Sequence, residues 1–181
     1  RGFRHLAYFG TDAASERIHS LGWESAFARV AERQGNYCGA FHMMSTNDWT
    51  SSFETAAKWI RALPKPCGFM AYSDILARDL LDVCHLAHVR CPQQTAIIGV
   101  DNTVDICETS VPTLSSILPD FELSGFLAAQ HLNHILRKHP TKRTQKLLYG
   151  IKLLVERAST QDLRGCGRIV TAGLEIIRRE A

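Results

Sequence analysis

Short apolar runs alternate with stretches of helical period along this chain, and that alternation constrains the fold more than any other feature. Residues 5–9 (HLAYF) form an apolar run closed by Gly10. A helical stretch follows, with Ile18, Leu21, Gly22, Ala26 and Val30 on one stripe, ending near Gly35. Residues 37–43 are strand-like. Phe53, Ala56, Ala57 and Ile60 then repeat at i, i+3, i+4 and i+7, and Pro64 and Pro66 stop that helix. Residues 67–72 predict a strand, and Leu76, Leu80, Val83, Cys84 and Ala87 mark the helix after it, before Pro92 breaks the chain. Residues 95–100 (TAIIGV) are the clearest buried strand, short, rich in β-branched side chains and closed by Gly99 and Asp101. Residues 1–100 thus predict the order β-α-β-α-β-α-β. Strands alternating with helices pair in parallel through right-handed crossovers, with helices on both faces of the sheet. The predicted fold class is α/β.

Beyond residue 101 the pattern changes. Residues 102–113 carry no period and include Pro112. Residues 113–117 are strand-like, and Pro119-Asp120 starts a helix bearing Phe121, Ala128, Leu132, Ile135 and Leu136. Residues 137–146 (RKHPTKRTQK) are a basic loop, read as a solvated hairpin because Pro140 interrupts it and apolar spacing is lacking. Residues 147–155 are a further strand, and residues 158–168 a polar, glycine-containing linker. Ile169, Ala172, Gly173, Ile176 and Ile177 share one face of a last helix, with Arg178 and Arg179 in its final turn.

Composition narrows the function classes. The chain has 181 residues, with Lys+Arg 21 against Asp+Glu 18, and the net charge of +3 is too small for a nucleic-acid footprint. No apolar run approaches the ~18 residues of a membrane span. The chain opens on Arg1 without a signal-peptide stretch and reads as the middle of a domain, hence as a fragment. Its 6 cysteines contain no C-x-x-C pair, which points to reduced thiols and a cytoplasmic setting. Cys84, His85, His88 and Cys91 are zinc-type ligands, but Pro92 and the strand after it make them a helix end and loop, so no metal is expected. No G-x-G-x-x-G, P-loop or G-x-S-x-G motif occurs. No cofactor is expected, and a binding domain is a better reading than an enzyme.

The segments SERIHSLGW, PKPCGFMAYSDILARDLLDVC, TAIIGVDN, LSSILPDFELSGFLAAQHL and LVERAST resemble the second half of the effector domain of the lac/galactose repressor family. The most specific of them are IIGVDN followed by LSSI, and IHSLGW. The resemblance covers about residues 2–160 and implies the type I periplasmic-binding-protein fold, two α/β lobes with ligand in the cleft between them. It further implies that residues 2–100 form most of the C-terminal lobe and that residues 113–137 cross into the N-terminal lobe. Residues 147–157 would then return, leaving the N-terminal lobe incomplete here. VERAST, the linker and GRIVTAGLEIIRRE resemble regulators of xylose operons, which join such a sugar domain to an AraC-type DNA-binding domain. Residues 161–181 would then be a linker and the first helix of that domain. The implied partners are a pentose, D-xylose by this resemblance, and operator DNA through the DNA-binding domain alone. A homodimer is expected and no membrane. The alternatives are a periplasmic sugar-binding transport protein and an α/β enzyme domain.

In parallel α/β sheets ligands bind outside the carboxyl ends of the strands. That rule selects residues 10–17, 44–50, 73–74 and 101–105. Sugar hydroxyls need charge-assisted partners, and a sugar's C–H face needs an aromatic ring. Arg17 matches the family's ligand-binding arginine, against a surface pair with Glu16 or Asp12. Asp101 matches the family's sugar-binding aspartate, against a turn-forming role, and Asn102 follows it. Trp49 lies where some members place a stacking aromatic. Asp74 is a candidate in Ser73-Asp74, where the family usually has Asn-Asp, and Ser73 is then a helix cap. Asp120 is a candidate at the start of the crossing helix, against plain capping. Trp23 and Trp59 fall within helices and are expected in the core.

Overall fold

The computed structural model describes residues 3–44, 49–137 and 148–161, with Trp49 in its backbone alone. The elements are β1 (His5–Thr11), α1 (Arg17–Arg33), β2 (Tyr37–Met43), α2 (Trp49–Ala62), β3 (Cys67–Ala71), α3 (Asp74–Leu86), β4 (Thr95–Val100), α4 (Val104–Thr109), β5 (Ser115–Pro119), α5 (Phe121–Arg137), β6 (Ile151–Val155) and α6 (Ala158–Gln161). Among the described residues they form a 6-stranded sheet in the order β2-β1-β3-β4-β5-β6. The first five strands run parallel, and β6 is antiparallel to β5. β1 to β4, with α1 to α3 between them, form the β-α-β-α-β-α-β series that the alternation predicts. No helix among the described residues is long and apolar enough to cross a membrane.

Side chains of a strand point alternately to opposite faces, and the core divides accordingly. On one face Ala56, Ala57 and Ile60 of α2 and Ala77, Leu80 and Val83 of α3 pack with Ala7, Phe9, Phe69 and Ile97. On the other, Phe27 of α1 packs with Tyr8, Met70, Val100 and Ile117.

Several expectations are corrected. The stripe of α1 is displaced: Ser20 and Ala31 are buried and Phe27 faces the sheet, whereas Ile18 and Leu21 are 82% and 44% exposed. Hydrogen bonding sets this orientation. The Tyr8 hydroxyl donates to the Ser20 carbonyl at 3.1 Å, and Ser20 Oγ accepts the Thr11 N–H at 3.2 Å. A buried serine therefore sits where apolar spacing alone predicts none. Trp23, expected in the core, is 37% exposed, while Trp59 packs against the core.

Residues 102–113, which carry no period, contain α4, too short at 6 residues for a period to register. Residues 115–119 stay in this sheet as β5, so any departure toward a second lobe begins at α5 rather than at residue 113. None of the α5 residues is buried. β6 covers Ile151–Val155, the later part of the strand expected over residues 147–155. Residues 158–161, expected to open a linker, form α6 and are locked to the sheet. Ser159 Oγ donates to the Ile97 carbonyl at 2.7 Å and accepts the Ser115 N–H at 2.9 Å. The polar residues there signal internal hydrogen bonds rather than solvent. The remaining linker, the helix expected over residues 169–181 and most of the basic loop lie outside the described residues.

Candidate functional site

Parallel pairing gathers the carboxyl ends of β1 to β5 on one edge of the sheet, where the helices that follow each strand also begin. Arg17 opens α1, Trp49 opens α2, Asp74 opens α3, Asp101 and Asn102 follow β4, and Asp120 precedes α5. All six residues singled out from the sequence therefore belong to this edge, but they play different parts there.

Asp101 leaves β4 with its N–H donating to the Ile117 carbonyl at 2.9 Å. It is exposed, and its carboxyl is pushed above the usual carboxylate range by desolvation, then by the charges of Asp74 and Glu16. Tyr72, half-buried just after β3, has its hydroxyl pushed up by burial, then by the charges of Glu16 and Asp101. The Trp23 ring meets Tyr72 edge-on, with centroids 6.1 Å apart and planes at 70°. Glu16, Tyr72 and Asp101 stand at the carboxyl ends of β1, β3 and β4, neighbours in the sheet, and with the Trp23 ring against Tyr72 they make a cluster of two carboxylates, a phenol and an indole at this edge. Carboxylates accept hydrogen bonds from hydroxyl groups, a phenol donates and accepts, and aromatic rings cover apolar C–H faces.

Three members of that cluster escaped the sequence reading. Tyr72 lies one residue before the window selected after β3. Glu16 lies inside the first window, where the sequence offers it only as a partner for Arg17. Trp23 lies mid-helix, where a tryptophan is expected in the core. Only the placement of Glu16 and Tyr72 at strand ends could have signalled them.

Arg17 is exposed in the first turn of α1, its N–H donating to the Ala13 carbonyl at 2.8 Å. Asp120 caps α5, Oδ1 accepting the Leu123 N–H at 3.0 Å, while its own N–H donates to the Gly150 carbonyl at 3.0 Å. Ser73 caps α3 by accepting the Leu76 N–H at 3.4 Å. The Trp49 side chain lies outside the described part of the structure.

Asp74 departs from the expected contact role, because its carboxylate faces inward. It is 1% exposed. Oδ1 accepts the Ser116 hydroxyl at 2.5 Å and Oδ2 accepts the Thr103 N–H at 2.6 Å. Burial raises its pKa, opposed by those two bonds and by Arg157. Gly99 makes room for it, since a Cβ at Gly99 would collide with Asp74 Oδ1. Ser116 Oγ in turn accepts the Asn102 N–H at 3.0 Å. Asp74 therefore supports the Asp101–Asn102 turn from below.

Five parallel strands with a polar and aromatic carboxyl edge, closed by an antiparallel sixth, define an α/β lobe, and the chain belongs to the periplasmic binding protein-like domain family, whose model matches residues 1–160. The xylose operon regulatory protein of Escherichia coli (strain K12) is 26% identical over 184 residues, which take in 100% of this chain and 46% of that protein. The protein of the same description from Haemophilus influenzae is 24% identical, with 47% of its length matched. The chain thus spans about half the length of these curated relatives. A solved structure of the xylose-binding transcription activator xylR superposes with a TM-score of 0.78 at 26% identity, covering 90% of this chain and 43% of that one. A LacI family transcriptional regulator from Bifidobacterium animalis subsp. lactis shares the fold, with a TM-score of 0.65 at 24% identity over 88% of this chain and 56% of that one.

Proposed function

We propose that this chain is the effector-binding part of a sugar-responsive transcription regulator and that the effector is a pentose, D-xylose first. One observation carries the reading: Glu16, Tyr72 and Asp101 stand at the carboxyl ends of the neighbouring strands β1, β3 and β4, with the Trp23 ring against Tyr72. A pentose presents vicinal hydroxyls to such carboxylates and a C–H face to such rings. In this reading Asp101 accepts sugar hydroxyls, Arg17 and Asn102 donate from either side, and Tyr72 and Trp23 border the ring. Trp49 and Asp120 stand at the rim, and a second lobe supplies the opposite wall. The relatives named xylose operon regulatory proteins and the structure named as xylose-binding support xylose as the first candidate.

The regulatory step is a population shift. Ligand bridging two lobes favours the closed arrangement, and the closed arrangement presents the DNA-binding domain to operator DNA. That domain is of AraC type and begins in residues 161–181, and the working state is a cytoplasmic homodimer. No catalytic residue is assigned.

Titration calorimetry on the full-length protein tests the reading. D-xylose is expected to give saturable heat, with L-arabinose weaker. Heat with hypoxanthine or D-glucose and none with either pentose would overturn the pentose assignment.

A further inference from the structure

The turn that carries Asp101 is held in an unusual backbone conformation. Asp101 and Asn102 have φ of 100° and 52°, two consecutive non-glycine residues outside the regions that L-residues favour. Such a turn persists only where its surroundings over-determine it. Its backbone N–H groups are held from beneath, Asp101 by the Ile117 carbonyl, Asn102 by Ser116 Oγ and Thr103 by Asp74 Oδ2. A side-chain restraint comes from Arg157, which lies between β6 and α6, far along the chain.

Arg157 Nη1 donates to Asn102 Oδ1 at 3.0 Å and to the Leu114 carbonyl at 2.9 Å, while Nε donates to Glu108 Oε1 at 2.6 Å. The guanidinium side chain is 11% exposed, and its Glu108 partner is 55% exposed. The Arg157 backbone is fixed as well. Its N–H donates to Ser115 Oγ at 2.8 Å, and its carbonyl accepts from Ser115 Oγ at 3.1 Å. A rigid, planar fork anchored at both ends thus reaches three elements at once, α4, the start of β5 and the ligand-edge turn.

We propose that Arg157 is a positioning residue for the sugar: it grips Asn102 and so holds the Asp101 carboxylate aimed at the ligand edge. This rests on the sugar reading of that edge. A lysine has one nitrogen on a flexible stem and cannot serve Asn102, Leu114 and Glu108 together.

The test uses the full-length protein, D-xylose calorimetry, thermal unfolding and amide hydrogen exchange. Arg157→Lys is expected to weaken D-xylose binding about tenfold, with a melting shift of no more than about 3 °C, and to speed exchange at Asn102 and Thr103 without ligand. Glu108→Gln, which removes the exposed charge but leaves the Nη1 bonds, is expected to change neither. Asn102→Asp puts a charged acceptor opposite Arg157 and is expected to slow exchange at Thr103, a readout that stands even if Arg157→Lys does not fold. Wild-type affinity and exchange in Arg157→Lys, equal losses in Glu108→Gln, or faster exchange in Asn102→Asp would each overturn the proposal. Absence of D-xylose heat in the wild type would refute the sugar reading instead, and the exchange results would then decide the role of Arg157 alone.

Discussion

Removing the Asp74 carboxylate should loosen the Asp101–Asn102 turn from beneath. In Asp74→Ala the Thr103 N–H and the Ser116 hydroxyl lose their acceptors, bonds of 2.6 and 2.5 Å. A hydrogen bond to a charged group contributes about 1.5–3 kcal/mol, so the gross loss is about 3–6 kcal/mol. Two effects reduce it. Thr103 is exposed, so water recovers part of its N–H bond, and the variant no longer carries the burial cost that raises the Asp74 pKa. A net loss of about 2–3 kcal/mol remains, or a melting temperature lower by roughly 4–12 °C for a chain of this size. Asp74→Asn keeps the shape and one acceptor but sets an amide N–H against the other donor, and should cost about 1–2 kcal/mol. The pH dependence carries an independent sign. Burial raises the Asp74 pKa above 3.8, so the folded state holds this proton more tightly than the unfolded state. Its contribution is fully present below the unfolded value and is lost as pH rises through the raised folded value. As pH rises from about 4 through the raised folded value, the wild type should therefore lose stability relative to Asp74→Asn. Thermal unfolding followed by circular dichroism measures both effects. If Asp74→Ala melts within about 1 °C of the wild type, or the difference from Asp74→Asn is flat across that pH range, Asp74 does not support the turn.

Asp101→Ala should leave the fold intact and lower D-xylose affinity by about 1.5–3 kcal/mol, roughly ten- to hundredfold, read by calorimetry; unchanged binding would make Asp101 a turn residue only. Trp23→Ala should lower the melting temperature by a few degrees, because the residue is only 37% exposed and packs against Tyr72, and weaken the same binding by about two- to tenfold through lost aromatic contact. Gly99→Ala places a methyl group against Asp74 and should destabilise by about 1–3 kcal/mol, visible as an earlier thermal transition.

Much of the sheet was legible because its strands are buried on both faces. TAIIGV can meet helices above and below only as a β-branched run, and it is β4. The spacing of Ala56, Ala57 and Ile60 likewise placed α2, and all three are fully buried. Strand-end logic placed Asp101 and Asn102 at the carboxyl edge of the sheet, since parallel pairing leaves their position little choice. Tertiary structure decided what local period does not encode. Ser20, Ser159 and Thr160 are buried because each hydroxyl or carbonyl finds a specific partner, and no apolar pattern announces such a partner. Asp74 shares its residue type and strand-end location with Asp101, yet one carboxylate turns inward and the other stays exposed. Gly99, Ser116 and the Thr103 amide make that distinction, and they come from separate segments. Glu16, Trp23, Tyr72 and Asp101 likewise become neighbours only once β1, β3 and β4 lie side by side, because proximity across a sheet depends on strand order and not on spacing along the chain.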